Sequence, residues 1–103
     1  MNDELPPYTN HVDKESGITF VFKREPTNTK ILHIATHTSS FDDAMTPEDA
    51  MDIFFDGNLK RTFNNRGTVI SETRLDDDFL WWYWIDEAKK VVMVVTCFNK
   101  YKP

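Results

Sequence analysis

Apolar and polar residues alternate along much of the chain, with the period of two that is typical of β-strands. In ITFVFKR, residues 18–24, the side chains of Ile18, Phe20 and Phe22 fall on one side of the strand. After the turn-forming EPTNT comes KILHIATH, residues 30–37, which is rich in Ile and Thr. We predict that these two segments form a β-hairpin.

One segment departs from this period and carries helix-terminal residues. In MTPEDAMDIFFDGN, Thr46 is suited to the N-cap, Pro47 to the first helical position and Gly57 to a left-handed residue at the end. The apolar residues between them give the segment a wide hydrophobic side. The sequence therefore predicts a helix over residues 47–56.

The second half of the chain predicts an antiparallel meander. Turn residues occur at 64–67 (NNRG) and 76–78 (DDD), and the segments beside them read as strands. The last two strands are expected at 79–85 and 91–98. The fold class is therefore α+β: one domain over residues 1–103, with an antiparallel sheet of five or six strands and one principal helix on one face. Residues 1–16 are expected to form an N-terminal arm or loop.

The segment FLWWYWID, residues 79–86, is apolar on both sides of the predicted strand. A helix about 10–12 Å wide does not cover both faces of such a sheet. The sheet must curl, the N-terminal arm must cover the second face, or that face must meet another chain. We expect the row of Trp82 and Trp84 to point outward, because the opposite row has four large members and makes the fuller core.

Acidic residues outnumber basic ones by 17 to 12, which gives a net charge of −5. Direct nucleic-acid binding is therefore not expected. Six acids and no Lys or Arg lie between Phe41 and Leu59. This run is either a solvated helix face or a surface for a basic partner. On the second interpretation, the partner-binding residues are Asp42, Asp43, Glu48, Asp49, Asp52, Asp56, Trp82 and Trp84.

The sequence has no run of about 18 apolar residues and no leader-like N-terminus. Its one cysteine, Cys97, lies within the apolar VVMVVTCF and is expected to be buried and inert. These features predict a cytoplasmic protein that does not interact with a membrane.

No metal or cofactor site is expected. His33 and His37 would be about 13 Å apart on a strand, too far to share a zinc ion. Asp76, Asp77 and Asp78 lack the spaced ligands and the glycine of a calcium loop.

Basic residues cluster only in the predicted 59–75 hairpin. Together with His37, Arg61 and Arg66 could form a small ribonuclease-type site, in which the histidine moves protons and the arginines hold the phosphate. The alternative is that they are solvated hairpin charges.

The segment LHIATHTSSFDDAMTPEDAMDIFFDGN, with the later VVMVVT, resembles small RelE-like toxin domains of the BrnT type over residues 32–96. The resemblance implies that His37 is a catalytic candidate. An arginine expected between that histidine and the helix is replaced by the aspartates of TSSFDDAM, so the fold could be retained without the nuclease.

Three functions remain open. The first is a small acidic binding module that inhibits a basic protein partner, as immunity proteins, antitoxins and phage anti-defence inhibitors do. The second is a RelE-like ribonuclease using His37, Arg61 and Arg66. The third is a homodimeric domain without catalytic activity.

Overall fold

The computed structural model describes residues 5–37 and 44–99, which form seven strands, one α-helix and one short 3-10 helix. The α+β prediction is confirmed. The elements are β1 Tyr8–Val12, β2 Thr19–Glu25, β3 Asn28–Leu32, the 3-10 helix His33–His37, α1 Pro47–Asp56, β4 Asn58–Asn65, β5 Thr68–Leu75, β6 Asp78–Asp86 and β7 Val91–Asn99.

The sheet has more strands than predicted and is not purely antiparallel. Its order is β1-β2-β7-β6-β5-β4, and β3 pairs with β2. The pair β2–β7 is parallel, with Thr19 opposite Val91 and Phe22 opposite Val94. Short turns force neighbouring strands to be antiparallel, but β2 and β7 are separated by most of the chain, so their relative direction is not restricted in this way.

The expectation of an irregular arm at residues 1–16 is wrong for residues 8–12, which form β1. This strand pairs antiparallel with β2, with Tyr8 opposite Lys23. Along β1 only Thr9 and His11 are partly buried. As an edge strand with polar residues on its more buried side, β1 shows none of the apolar alternation that identifies β2.

The predicted helix is confirmed at Pro47–Asp56. The backbone N–H of Asp49 donates to Thr46 Oγ1 over 3.2 Å, and the backbone N–H of Thr46 donates to Asp49 Oδ2 over 2.9 Å. These two bonds form a capping box, which satisfies backbone donors that a helix N-terminus otherwise leaves free.

The left-handed conformation predicted for Gly57 is wrong. Its backbone is extended, with φ −80° and ψ 176°. A Cβ at this position would lie 2.5 Å from the Ile53 carbonyl oxygen and 2.7 Å from that of Arg74. Glycine is therefore required here because the helix end lies against β5.

The hydrophobic core lies between α1 and one face of the sheet. Its fully buried members come from the helix, from the 3-10 helix and from the central strands β2, β6 and β7. The largest are Phe20, Phe22, Ile34, Ile53, Leu80, Val92, Val94 and Cys97.

The prediction that the Trp82 and Trp84 row points away from the helix is wrong. The ring centroid of Phe54 is 4.8 Å from that of Trp82 and 6.2 Å from that of Trp84. The Trp82 indole N–H donates to Thr73 Oγ1 over 2.9 Å, so the ring is packed with its polar atom satisfied. Counting large side chains along one strand missed the contribution of the neighbouring strands, which place Phe20 on the helix side.

The predicted meander of β4, β5, β6 and β7 is confirmed, with turns at 66–67 and 76–77. Arg66, Gly67 and Asp76 have positive φ angles of 53°, 86° and 54°. Within the described part of the chain, no helix is long and apolar enough to cross a membrane.

Candidate functional site

A cleft lined by carboxylates lies between the β1–β2 loop and the C-terminal half of α1. It has a volume of about 500 Å³. We call it the acidic cleft, and its lining residues are Asp13, Glu15, Ser16, Asp52, Phe55 and Asp56. Four of these six carry a carboxylate, and none is a lysine or an arginine.

The loop side of the acidic cleft is held in place by local hydrogen bonds. The backbone N–H of Ser16 donates to Asp13 Oδ2 over 2.9 Å, and Lys90 Nζ donates to the Ser16 carbonyl oxygen over 3.1 Å. The hydrogen bonds from the Ser16 side chain and backbone lower the pKa of Asp13 below its ordinary value. Asp13 is therefore ionised at neutral pH.

The helix side of the acidic cleft combines charge with an exposed aromatic ring. Asp52 and Asp56 are four residues apart and lie on one side of α1. The ring of Phe55 packs against Phe20 and Phe54, with centroids 5.8 Å and 5.2 Å apart, yet Phe55 remains 45% exposed. A lysine or arginine side chain could place its charge among the carboxylates and its aliphatic stem against this ring.

The predicted acidic partner-binding residues do not all reach the acidic cleft. Asp52 and Asp56 line it, whereas Glu48 is exposed in the first turn of α1 and Asp49 is bound in the capping box. Asp42 and Asp43 lie outside the described residues.

Two carboxylates of the acidic cleft were missed from the sequence. Asp13 and Glu15 lie in the loop before β2, 34 and 32 residues before the start of α1, and only the fold places the two segments together. The turn-forming DKESG carried no signal of this proximity. Trp82 and Trp84 were predicted as partner-binding residues on an outward-facing row, but both pack under the helix.

A second, more apolar hollow of about 820 Å³ lies beside the start of β5 and the end of β6. We call it the sheet hollow. It is lined by Tyr8, Val21, Gly67, Thr68, Val69, Ser71, Tyr83, Trp84, Ile85, Glu87 and Met93. These residues come from five strands and two connections. Tyr8, Val69 and Ile85 are 49%, 53% and 52% exposed.

On the sheet face that carries Trp81, a buried carboxylate forms hydrogen bonds with neighbouring side chains through both of its oxygens. Glu72 is 2% exposed, and its Oε1 accepts from the Trp81 indole N–H over 2.8 Å and from Arg61 over 3.3 Å. Its Oε2 accepts from Arg74 Nε over 3.1 Å. Burial raises the pKa of Glu72, but the hydrogen bonds from Trp81 and Arg74 and the charges of Arg61 and Arg74 outweigh it and bring the pKa below its ordinary value.

The strand predicted for residues 30–37 ends at Leu32, and His33–His37 forms the 3-10 helix instead. The two imidazoles are therefore close together: His33 Nε2 and His37 Nε2 are 3.2 Å apart. The predicted separation of about 13 Å is wrong, because four residues advance much less along a helix than along a strand.

These histidines belong to a chain of polar contacts. Glu25 Oε1 lies 2.7 Å from His33 Nδ1, and Thr96 Oγ1 lies 2.6 Å from His37 Nε2. Burial lowers the pKa of His37, the nearby His33 lowers it further, and Glu25 partly offsets the two. His37 is consequently held in its neutral form at neutral pH.

The ribonuclease candidates are not joined by any contact among the described residues. His37 Nε2 is engaged by His33 and Thr96, and Arg61 is paired with Glu72. Arg66 is exposed in the β4–β5 turn.

The buried position predicted for Cys97 is confirmed at 0% exposure. Burial, followed by the charges of Asp49 and Asp78, raises the pKa of its thiol.

Comparisons with protein-family models, with curated proteins and with solved structures found no match to this chain. The resemblance to RelE-like toxin domains therefore stays a prediction.

Proposed function

We propose that this protein is a binding module that recognises a basic segment of a partner protein through the acidic cleft. The observation that carries the proposal is the arrangement of Asp13, Glu15, Asp52 and Asp56 around the exposed ring of Phe55, with no lysine or arginine among the described residues of the lining. Lysine and arginine side chains match this combination of charge and apolar surface.

The placement of the helix acids supports a role in binding over a role in stability. The C-terminal end of a helix carries a partial negative charge, so basic residues in the last turn stabilise it and acidic residues do not. In α1 the last turn has no basic residue, and it contains Asp56. A bound cation would relieve this repulsion, so the binding free energy would include the relief of an unfavourable interaction in the free protein.

The net charge of −5 adds a long-range contribution. A partner with a basic surface would be attracted before contact, which raises the association rate and makes it dependent on ionic strength. An inhibitor of the immunity or antitoxin type would act in this way, by covering a basic functional surface of its target.

The test is fluorescence anisotropy with a labelled decalysine peptide as the probe and a labelled decaglutamate peptide as its control. We expect saturable binding of decalysine that weakens as salt is raised, and no binding of decaglutamate. The double variant Asp52→Asn/Asp56→Asn should lose most of the affinity. The matched control Asp76→Asn/Asp77→Asn removes the same charge from an exposed turn and should retain most of it.

Equal losses in the two double variants would mean that only net charge attracts the peptide, and the proposed site would be wrong. Phe55→Ala tests the contribution of the aromatic ring to binding separately from that of the carboxylates. It should weaken the binding of peptides with lysine or arginine side chains at high salt, where electrostatic attraction is screened.

A second candidate function, homodimerisation, is favoured by the sheet hollow. Exposed Tyr8, Val69 and Ile85 line it, and exposed apolar groups around a hollow favour association with another surface. Sedimentation equilibrium over a range of protein concentrations tests this candidate. A dimer that Ile85→Lys converts to monomers would support it, and a monomer at all concentrations would exclude it.

The ribonuclease alternative is tested by incubating the protein with single-stranded RNA. Cleavage that is lost in His37→Gln and in Arg66→Ala would support it. Intact RNA at micromolar protein concentration would argue against it.

A further inference from the structure

The imidazoles of His33 and His37 point the same ring nitrogen, Nε2, at each other across 3.2 Å. Their rings are nearly perpendicular, with an interplanar angle of 87° and centroids 4.8 Å apart. This is not a stacking arrangement. It brings two potential metal-ligating nitrogens to one point in space.

The tautomer of His33 is set by its other nitrogen. Nδ1 lies 2.7 Å from Glu25 Oε1, and a carboxylate can only accept, so Nδ1 carries the hydrogen. Neutral His33 therefore presents the lone pair of Nε2. A carboxylate bonded to the far nitrogen of a histidine also orients the ring, which is the usual outer-shell arrangement at protein metal sites.

The separation of the two nitrogens fits one metal ion. Zinc–imidazole distances are about 2.0–2.1 Å, so two adjacent nitrogens lie about 2.8–3.0 Å apart on an octahedral ion and about 3.3–3.4 Å apart on a tetrahedral one, a total range of about 2.8–3.4 Å. The observed 3.2 Å is within that range. The site is also accessible, since the side chain of His33 is 36% exposed.

We propose that His33 Nε2 and His37 Nε2 bind one divalent late transition metal ion, of the Zn²⁺, Ni²⁺ and Cu²⁺ class, with Glu25 as the residue that orients His33. The hydroxyl of Thr96, 2.6 Å from His37 Nε2, lies beside the metal position. Among the described residues no group of three or more His, Cys, Asp or Glu side chains is placed to hold a metal. Water completes the coordination, and the site exchanges its ion more readily than a four-ligand structural zinc site does.

Imidazole ligands suit this class of ions, and the affinity is expected to rise from Ni²⁺ to Cu²⁺ and fall again to Zn²⁺. The proposal is independent of the acidic cleft.

The test is isothermal titration of the full chain with ZnCl₂ and with NiCl₂ at pH 7.5. We expect one ion per chain for each metal. His33→Asn and His37→Gln should each abolish the stoichiometric binding, and circular dichroism should show that both variants stay folded. The chain has three histidines, and the third, His11, packs against Phe22 with centroids 5.3 Å apart. His11→Asn is therefore the matched control and should bind as the wild type does.

Glu25→Gln tests the orienting role separately. Loss of an outer-shell partner typically lowers metal affinity about 10–100-fold, so this variant should bind the same number of ions more weakly. Unchanged affinity in Glu25→Gln would overturn that role.

Three results would overturn the site itself. The first is no stoichiometric binding to the wild type, which would mean that the two histidines form a hydrogen bond only. The second is binding that persists in the double variant His33→Asn/His37→Gln. The third is binding that is lost in His11→Asn but kept in His33→Asn and His37→Gln. Cobalt substitution gives an independent readout, since the d–d absorption bands of Co²⁺ report nitrogen coordination. These bands should disappear in His33→Asn and remain in His11→Asn.

Discussion

Carboxylates occupy two contrasting environments in this protein, a single one at β5 and a group of four at the acidic cleft. At β5, Glu72 is buried, and both of its oxygens are bonded to neighbouring side chains. At the acidic cleft, four carboxylates surround an exposed phenylalanine, and none of the lining residues that the structure describes is basic.

The difference separates structural charge from charge that is available to a partner. A buried carboxylate is tolerated only when cations and hydrogen-bond donors replace the water it loses. Arg61, Arg74 and Trp81 provide that replacement for Glu72. The carboxylates of the cleft keep their water instead, so a basic ligand can displace it. Substitutions at Glu72 should therefore affect stability, and substitutions in the cleft should affect binding.

The largest effect on stability is expected for Glu72→Ala. It leaves the Trp81 indole N–H without its acceptor and removes the shared partner of Arg61 and Arg74. We expect the free energy of unfolding to fall by about 3 kcal/mol, measured by urea denaturation. Glu87→Ala, an exposed acid in the β6–β7 turn, is the control and should be close to neutral. A loss at Glu72 no larger than the loss at Glu87 would contradict the distinction between the two regions.

The same contrast predicts a pH dependence. The pKa of Glu72 is lowered from its ordinary value of 4.5 in the folded state, so the folded protein binds fewer protons there than the unfolded chain does. Its contribution is complete above that ordinary value and is lost as the pH falls through the lowered pKa. The difference in unfolding free energy between the wild type and Glu72→Gln should shrink from pH 6 to pH 3. A difference that is constant over this range would show that the charge of Glu72 is not what stabilises the fold.

A smaller effect is expected at the N-terminus of α1, where an acid is used structurally. Thr46→Ala removes the side-chain acceptor of the capping box and should lower the free energy of unfolding by about 1 kcal/mol, measured by thermal denaturation. Decalysine binding should not change, since neither Thr46 nor Asp49 lines the cleft. A loss of peptide binding would extend the interaction surface to this end of the helix.

The smallest effect is expected at the other end of the helix, with the opposite sign. Asp56→Asn removes a negative charge from the C-terminal turn and should raise the free energy of unfolding by about 0.3–1 kcal/mol. Asp77→Asn lies outside the helix and serves as the control. Destabilisation by Asp56→Asn would mean that this carboxylate has a structural role, which would weaken the case for binding.

The sequence predicted the parts of the fold that depend on local chemistry. The capping residues of α1 identified its start, and the turn residues between β4, β5 and β6 identified the meander. The parallel pairing of β2 with β7 was not predictable in this way, because it depends on residues more than 70 positions apart. The prediction that Trp82 and Trp84 point away from the helix was wrong for the same reason, because their orientation depends on residues that are distant in the sequence.

The candidate sites show the same limit. Asp52 and Asp56 were identified because both belong to one acidic helix, whereas Asp13 and Glu15 join them only through the tertiary fold. For His33 and His37, the prediction of a strand where the chain forms a 3-10 helix led to the wrong distance between the imidazoles. A strand separates the two imidazoles, and the observed 3-10 helix brings them together.

The central claim is that the acidic cleft is the surface that recognises a basic partner, and nuclear magnetic resonance tests it most directly. Unlabelled decalysine is titrated into ¹⁵N-labelled protein at low salt, and the amide chemical shifts are followed. The account predicts that the largest shifts fall in the β1–β2 loop around Asp13–Ser16 and in the second half of α1 around Asp52–Asp56, while the amides around Glu72 stay unchanged. Shifts spread evenly over all exposed acids, or centred on β5 and β6, would contradict it.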